Sequence, residues 1–135
     1  MKSFLNHIQV NIDPASKNFY KDLFALLEWT CLYEDSAMLG LGTDTSSIWF
    51  FAAADRSMTD YDQRGVNHIG ISVGEQTDVD RVVEFLREKN IPSLFDTPRH
   101  RKEFAASDRD TYYQVMFESP DKVLLEVMYK GPIAP

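Results

Sequence analysis

One tripeptide occurs twice in this chain. Asn6-His7-Ile8 returns as Asn67-His68-Ile69, each time near the start of an alternating stretch and each time followed by a segment of helical periodicity. A recurrence on that scale predicts two copies of one supersecondary unit. In the first copy, residues 4–12 alternate, with Phe4, Ile8, Val10 and Ile12 on one side and His7, Gln9 and Asn11 on the other. That pattern predicts a strand with one apolar and one mixed face. Asp13-Pro14 reads as an N-cap followed by proline at the first helical position, predicting a helix from about Pro14 to Leu27. Phe19, Leu23, Leu26 and Leu27 form its apolar stripe. Residues 29–53 read as three short strands, with turns near Glu34-Asp35 and at Gly42-Thr43-Asp44, and the last strand carries Ile48, Trp49, Phe50 and Phe51.

Residues 54–65 are polar and aperiodic, which marks a linker. The order then restarts. Residues 66–73 predict a strand, and Thr77 or Asp78 caps a helix through Lys89 whose apolar residues are Val79, Val82, Val83, Phe85 and Leu86. A basic loop follows over 97–110. The chain closes on a hairpin, Tyr112 to Phe117 and Val123 to Tyr129, about the turn Glu118-Ser119-Pro120-Asp121. Laying Leu41-Gly42-Thr43-Asp44 against Phe117-Glu118-Ser119-Pro120 sets Phe50 in the place of Glu126. The expectation is one α+β domain, residues 1–135, made of two βαβββ modules (about 3–53 and 66–130) whose curved mixed sheets form a cup.

Composition narrows the function classes. The 135 residues suit one domain, and 44% hydrophobic and 13% aromatic content is enough for a core. Fourteen basic against 21 acidic residues give a net charge of −7, which argues against nucleic-acid or anionic-membrane partners. The lone Cys31 forms neither an internal disulfide nor a CxxC site and reads as a small packed hydrophobe; a reducing compartment fits. No stretch approaches the roughly 20 apolar residues of a membrane span. The N-terminus shows no signal-peptide core, so the cytoplasm is the expected location.

The repeat also points to chemistry. His7 and His68 hold equivalent positions, each on the less apolar side of its strand, and a pseudo-two-fold relation would bring them face to face. Glu126 interrupts the run Val123-Leu124-Leu125-Glu126-Val127-Met128-Tyr129, where an ionised carboxylate is costly unless neutralised. A divalent cation bound by two imidazoles and this carboxylate accounts for all three residues and leaves positions open for water or substrate. Each residue alone has a plainer reading: a hydrogen-bonded strand histidine, or a salt-bridged edge glutamate.

Three segments carry a family likeness: LNHIQVNIDPASKNFYKDLF (5–24), VNHIGISV (66–73) and FESPDKVLLEV (117–127). The first resembles the opening strand and "A-S-x-x-F-Y" helix of the vicinal oxygen chelate superfamily, and the last resembles its closing "F-x-D-P-D-G-x-x-x-E" hairpin. That superfamily contains glyoxalase I, fosfomycin-resistance thiol transferases, extradiol dioxygenases and bleomycin-resistance proteins. The resemblance implies that His7, His68 and Glu126 are metal ligands, with one divalent ion (Mn, Fe, Zn or Ni) per site. Departures narrow the reaction. The fourth ligand position of glyoxalase I falls on Phe50, between Trp49 and Phe51. The tyrosine of ring-cleaving and fosfomycin-type enzymes, ten residues before the glutamate, falls on Met116. Lys122 stands where the hairpin usually has glycine, a strained place for a side chain.

Further candidates lie around these three. If Phe117 pairs with Lys122, Tyr113 lies opposite Glu126 and its hydroxyl acts on substrate or a bound water. Gln9 shares the face of His7 and is a second candidate for substrate contact. The basic loop, with Arg99, His100, Arg101, Lys102 and Arg109, reads either as a solvated loop or as a lid over an anionic substrate. Two functions follow. One is a metal-dependent enzyme acting on a small oxygen-bearing substrate, a lyase, isomerase or transferase in preference to a ring-cleaving dioxygenase. The other is a metal-free small-molecule binding protein of the bleomycin-resistance type. The resemblance also implies a homodimer.

Overall fold

A computed structural model describes residues 1–135. The chain divides into two compact units, Met1–Met58 and Thr59–Pro135, and the break falls inside the polar stretch 54–65.

The N-terminal unit runs β1 (His7–Ile12), a 3₁₀ turn over Pro14–Ser16, α1 (Lys17–Leu26), β2 (Thr30–Glu34), β3 (Met38–Gly42) and β4 (Ser47–Ala52). Asp13 caps the turn by accepting the Ala15 N–H at 2.9 Å. The tighter winding of Pro14–Ser16 delays the α-helix by three residues relative to the sequence expectation. The strands lie in the order β1-β4-β3-β2, with β1 parallel to β4 and the other pairs antiparallel. α1 buries Phe19, Tyr20, Leu23 and Phe24, while Leu26 and Leu27 of the expected stripe are only half-buried. Tyr20 stacks on Phe50 of β4 with ring centroids 4.2 Å apart. Each such buried side chain contributes about 1.5–3 kcal/mol. The helix closes where Glu28 turns left-handed (φ 62°) and the Trp29 N–H reaches back to the Phe24 carbonyl at 2.9 Å.

The C-terminal unit repeats this plan with β5 (Ile69–Ser72), α2 (Gln76–Glu88), β6 (Leu94–His100), β7 (Asp110–Glu118) and β8 (Leu124–Pro132). Its strand order, β5-β8-β7-β6, again has one parallel pair, β5 with β8. α2 buries Val79, Val82 and Leu86 and ends as α1 does, with Asn90 left-handed (φ 57°) and the Ile91 N–H bonded to the Leu86 carbonyl at 2.9 Å. Both units are thus βαβββ, and the chain is α+β, as the repeat predicts. No helix is long and apolar enough to cross a membrane.

Three local readings need correction. The N-cap of α2 is Glu75, not Thr77 or Asp78; Asp78 sits at the third helical position and accepts the Glu75 N–H at 3.1 Å. The basic loop is partly strand: Arg99 pairs with Gln114 and His100 with Tyr113 in β6, followed by a 3₁₀ turn over Lys102–Phe104. β6 is an edge strand, where charged side chains are tolerated and hide the alternation that marks buried strands. Finally, the β7–β8 loop spans 119–123. Phe117 pairs with Leu125 rather than Lys122, and Met116 pairs with Glu126. Ser119 holds this longer loop, its Oγ accepting the N–H groups of Asp121 at 3.2 Å and Val123 at 3.1 Å.

Candidate functional site

Alternation along β8 decides where Glu126 points. Leu125 and Val127 share a face with Tyr113 of β7, whose hydroxyl reaches Asp80 of α2, so Glu126 and Met128 take the other. Glu126 is 5% exposed between buried Leu124, Leu125, Val127 and Met128, and a carboxylate there needs partners on both oxygens. It has them. Tyr112 donates its hydroxyl to Oε1 at 2.7 Å, and His68 Nε2 stands 3.1 Å from Oε2. His68 lies one residue before β5, whose Gly70 pairs directly with Glu126. With no side chain at Gly70, the space beside Oε2 stays open; an added Cβ would sit 3.6 Å from that oxygen. Asn67 Oδ1 lies 2.8 Å from His68 Nδ1, on the far edge of the ring.

Tyr112 is a fixed donor. Burial, and then the hydrogen bond to Glu126, raise its hydroxyl well above the ordinary tyrosine range, so it stays protonated. Phe104 packs edge-on against its ring with centroids 5.4 Å apart, and the Arg101 guanidinium lies over Phe104 at 4.9 Å.

The register places Tyr113 opposite Tyr129, not opposite Glu126. A pairing shift of three residues is odd, so it turns every side chain to the other face. Tyr113 accordingly donates to Asp80 of α2 at 2.8 Å, and burial followed by this bond pushes its hydroxyl up to about 12. Tyr112 is the residue that sequence reasoning passed over; counting a five-residue loop at Ser119 would have found it.

In the N-terminal unit, His7 stands exposed at the start of β1 with Nδ1 2.8 Å from Asn6 Oδ1, the same arrangement as Asn67 and His68. Gln9 is exposed on the same side and donates to Asn11 Oδ1 at 3.2 Å. The parallel registers, Gln9 with Trp49 and Gly70 with Glu126, make Trp49 the counterpart of Glu126, which corrects the assignment of Phe50. Phe50 is 2% exposed and belongs to the helix side. The Trp49 indole lies across Gly40, where an added Cβ would come within 2.5 Å of the ring. Its Nε1 donates to Ser47 Oγ at 3.1 Å, and neither Trp49 nor Phe50 offers a ligating atom. Cys31 is exposed rather than packed, with Sγ 3.7 Å from the Tyr33 carbonyl.

Of the three ligands read from the sequence, the structure brings His68 and Glu126 together, and His7 is part of the other unit. Within neither unit do three or more His, Cys, Asp or Glu side chains form a cluster. The donors present do fit a cation. An imidazole nitrogen and a carboxylate oxygen bound at about 2.0–2.2 Å to one ion stand roughly 3 Å apart at a right angle and about 3.4 Å apart at the tetrahedral angle, and the observed separation is 3.1 Å, which is also that of a direct ion pair.

With this geometry the chain has the fold of the glyoxalase/bleomycin-resistance/dioxygenase proteins, and the vicinal oxygen chelate resemblance holds at the level of the fold. A candidate glyoxalase from Bacillus halodurans superimposes with a TM-score of 0.78 at 21% identity, over 95% of this chain and 96% of that one. A glyoxalase/bleomycin resistance protein from Albidiferax ferrireducens gives 0.75 at 12% identity, over 94% and 99%. A lactoylglutathione lyase from Agrobacterium tumefaciens gives 0.64 at 15% identity, over 95% and 94%. No family model and no curated protein matches the sequence.

Proposed function

We propose that the chain is a divalent-metal-dependent enzyme acting on a small substrate with two neighbouring oxygens, as a lyase, isomerase or transferase. The observation that carries this is the buried Glu126 carboxylate with His68 Nε2 at 3.1 Å and the Tyr112 hydroxyl committed to its other oxygen. His68 and Glu126 would hold the ion, with His7 as the third ligand on the strength of the repeated Asn-His pair. Such an ion supplies Lewis-acid stabilisation of an enolate or alkoxide. Tyr112 leaves Oε2 as the carboxylate oxygen free to bind. Gln9 and Trp49, side by side across the β1–β4 pair, offer an amide and an aromatic surface to substrate. Tyr113 has no part in this proposal, because its hydroxyl is engaged with Asp80. Met116 faces Glu126 directly and has no proton to give, which favours these reactions over ring cleavage. A homodimer belongs to the same reading.

A second reading rests on the same contact. A protonated His68 satisfies Glu126 as an ion pair, and the chain is then a metal-free binding protein. Stripped protein titrated with Mn, Fe(II), Zn or Ni separates the two. One equivalent is expected to bind, weakened at least about tenfold by His68→Ala or Glu126→Gln. Uptake of none of the four metals, or binding that survives both substitutions, overturns the first reading. The loaded chain is then screened with thiol adducts of 2-oxo aldehydes, epoxides and catechols; turnover confined to catechols would overturn the preferred reaction class.

A further inference from the structure

A run of hydrogen bonds behind His68 determines which of its nitrogens is available. The Tyr61 carbonyl can only accept, and Asn67 Nδ2 donates to it at 2.9 Å. That bond fixes the orientation of the Asn67 amide, since the flipped form would set two carbonyl oxygens against each other. The amide oxygen is thereby turned to His68 Nδ1 at 2.8 Å, where it can only accept, so Nδ1 must carry a proton. In the neutral ring the lone pair then lies on Nε2, the nitrogen beside Glu126 Oε2. Two lone pairs at that separation repel unless something positive stands between them. Tyr61 is itself tethered, its hydroxyl donating to Glu118 Oε1 of β7 at 2.5 Å. The segment from Tyr61 to His68 thus runs from one strand of the β7–β8 hairpin to the other.

We propose that Asn67 is a positioning residue that holds His68 as the Nδ1–H tautomer and so turns Nε2 toward the ion, an inference that rests on the reading of His68 and Glu126 as metal ligands. Asn67 touches neither ion nor substrate. Its effect passes through the ring, and the polar stretch that looks like a plain linker supplies the anchor. The recurrence of the bond at Asn6 and His7, also 2.8 Å, makes it a property of the repeated unit and not an accident of one strand.

The full chain, with zinc as the only added metal, tests this. Long-range proton–nitrogen spectra of the histidine rings and a chelator competition are recorded for wild type, Asn67→Ala and Asn67→Asp. In wild type, His68 is expected to keep its Nδ1 proton with and without zinc. Asn67→Ala is expected to shift the metal-free ring to the Nε2–H form, donating to Glu126, and to weaken zinc binding about 10–100-fold. Asn67→Asp keeps an acceptor for Nδ1 but loses the donor to the Tyr61 carbonyl, so it is expected to restore the Nδ1 proton while recovering only part of the zinc affinity. An unchanged ring spectrum and unchanged zinc affinity in Asn67→Ala overturn the inference. If wild type binds no zinc, the metal-free ring spectra still decide the role of Asn67: loss of the Nδ1 proton in Asn67→Ala supports it, and retention overturns it; the metal reading fails separately only if none of the four metals binds.

Discussion

Tyr112 and Glu126 show how strongly one side chain depends on another inside a sheet. Glu126 is buried, and its Oε1 has the Tyr112 hydroxyl as its hydrogen-bond donor. Tyr112→Phe removes that donor while keeping the ring packed on Phe104. It is expected to lower the unfolding free energy by about 1–3 kcal/mol in a urea titration, the cost of leaving a buried polar atom unmatched; an unchanged midpoint would mean water replaces the hydroxyl at no cost. Tyr113 makes a pH-dependent contribution. Its hydroxyl is raised, chiefly by burial and then by the bond to Asp80, so the folded chain holds that proton more tightly than the unfolded chain. The stabilisation is complete below the ordinary tyrosine value of about 10 and is lost as pH rises toward about 12. Urea midpoints should therefore fall across this window, and Tyr113→Phe should remove part of the fall, Tyr61, Tyr112, Tyr33 and Lys21, which are also raised, contributing to the rest. Much of the site was readable one residue at a time. A histidine that recurs with its neighbours, and a carboxylate stranded among aliphatics, each advertise a local conflict. What stayed hidden was a partnership set by register, because nothing about Tyr112 alone distinguishes it from Tyr113.

Register belongs to the elements, and here it turns on one loop. A four-residue turn at 118–121 and a five-residue loop at 119–123 look equally plausible in Glu118-Ser119-Pro120-Asp121-Lys122-Val123, yet they put opposite faces of β7 toward Glu126. The deciding feature is the Ser119 side chain, which accepts two backbone N–H groups and stabilises the longer loop. Its geometry forces Lys122 left-handed at φ 58°. A side chain there costs about 1–2 kcal/mol, so Lys122→Gly is expected to raise the unfolding free energy by up to about 1 kcal/mol, after allowing for glycine's greater freedom when unfolded. A loss of stability instead would show that Lys122 makes a contact worth more than the strain. The helices illustrate the opposite case. Their apolar spacing and closing residues are local properties, so both are recognisable in the sequence; the errors lie in the first turn, where Pro14 and Glu75 set the start, and in the stripe of α1, where Tyr20 and Phe24 are buried and Leu26 and Leu27 only half-buried.

At the scale of the whole molecule, the duplicated plan is legible because both units obey the same rules of alternation and periodicity, and both place an Asn-bonded histidine at the entry to the first strand. At the matched position beside the histidine strand the halves part, Trp49 against Glu126, so only the C-terminal unit supplies a carboxylate there. Both tryptophans, Trp29 and Trp49, belong to the N-terminal unit, whereas His68 and Glu126 belong to the C-terminal one. Tryptophan fluorescence during heating therefore reports one half, while the proposed ion contacts the other through at least two ligands. Metal present at about a hundredfold its dissociation constant stabilises a folded chain by about 2.7 kcal/mol, which for a domain of this size corresponds to about 10 °C in Tm. If His7 is the third ligand, the fluorescence-detected transition rises by that amount, and His7→Ala cuts the rise by most of its size, as His68→Ala does. If the C-terminal unit binds alone, the fluorescence-detected transition stays put while the calorimetric one rises, and His7→Ala leaves that rise intact. If His68 and Glu126 pair without metal, no ion moves either transition in any of the three proteins.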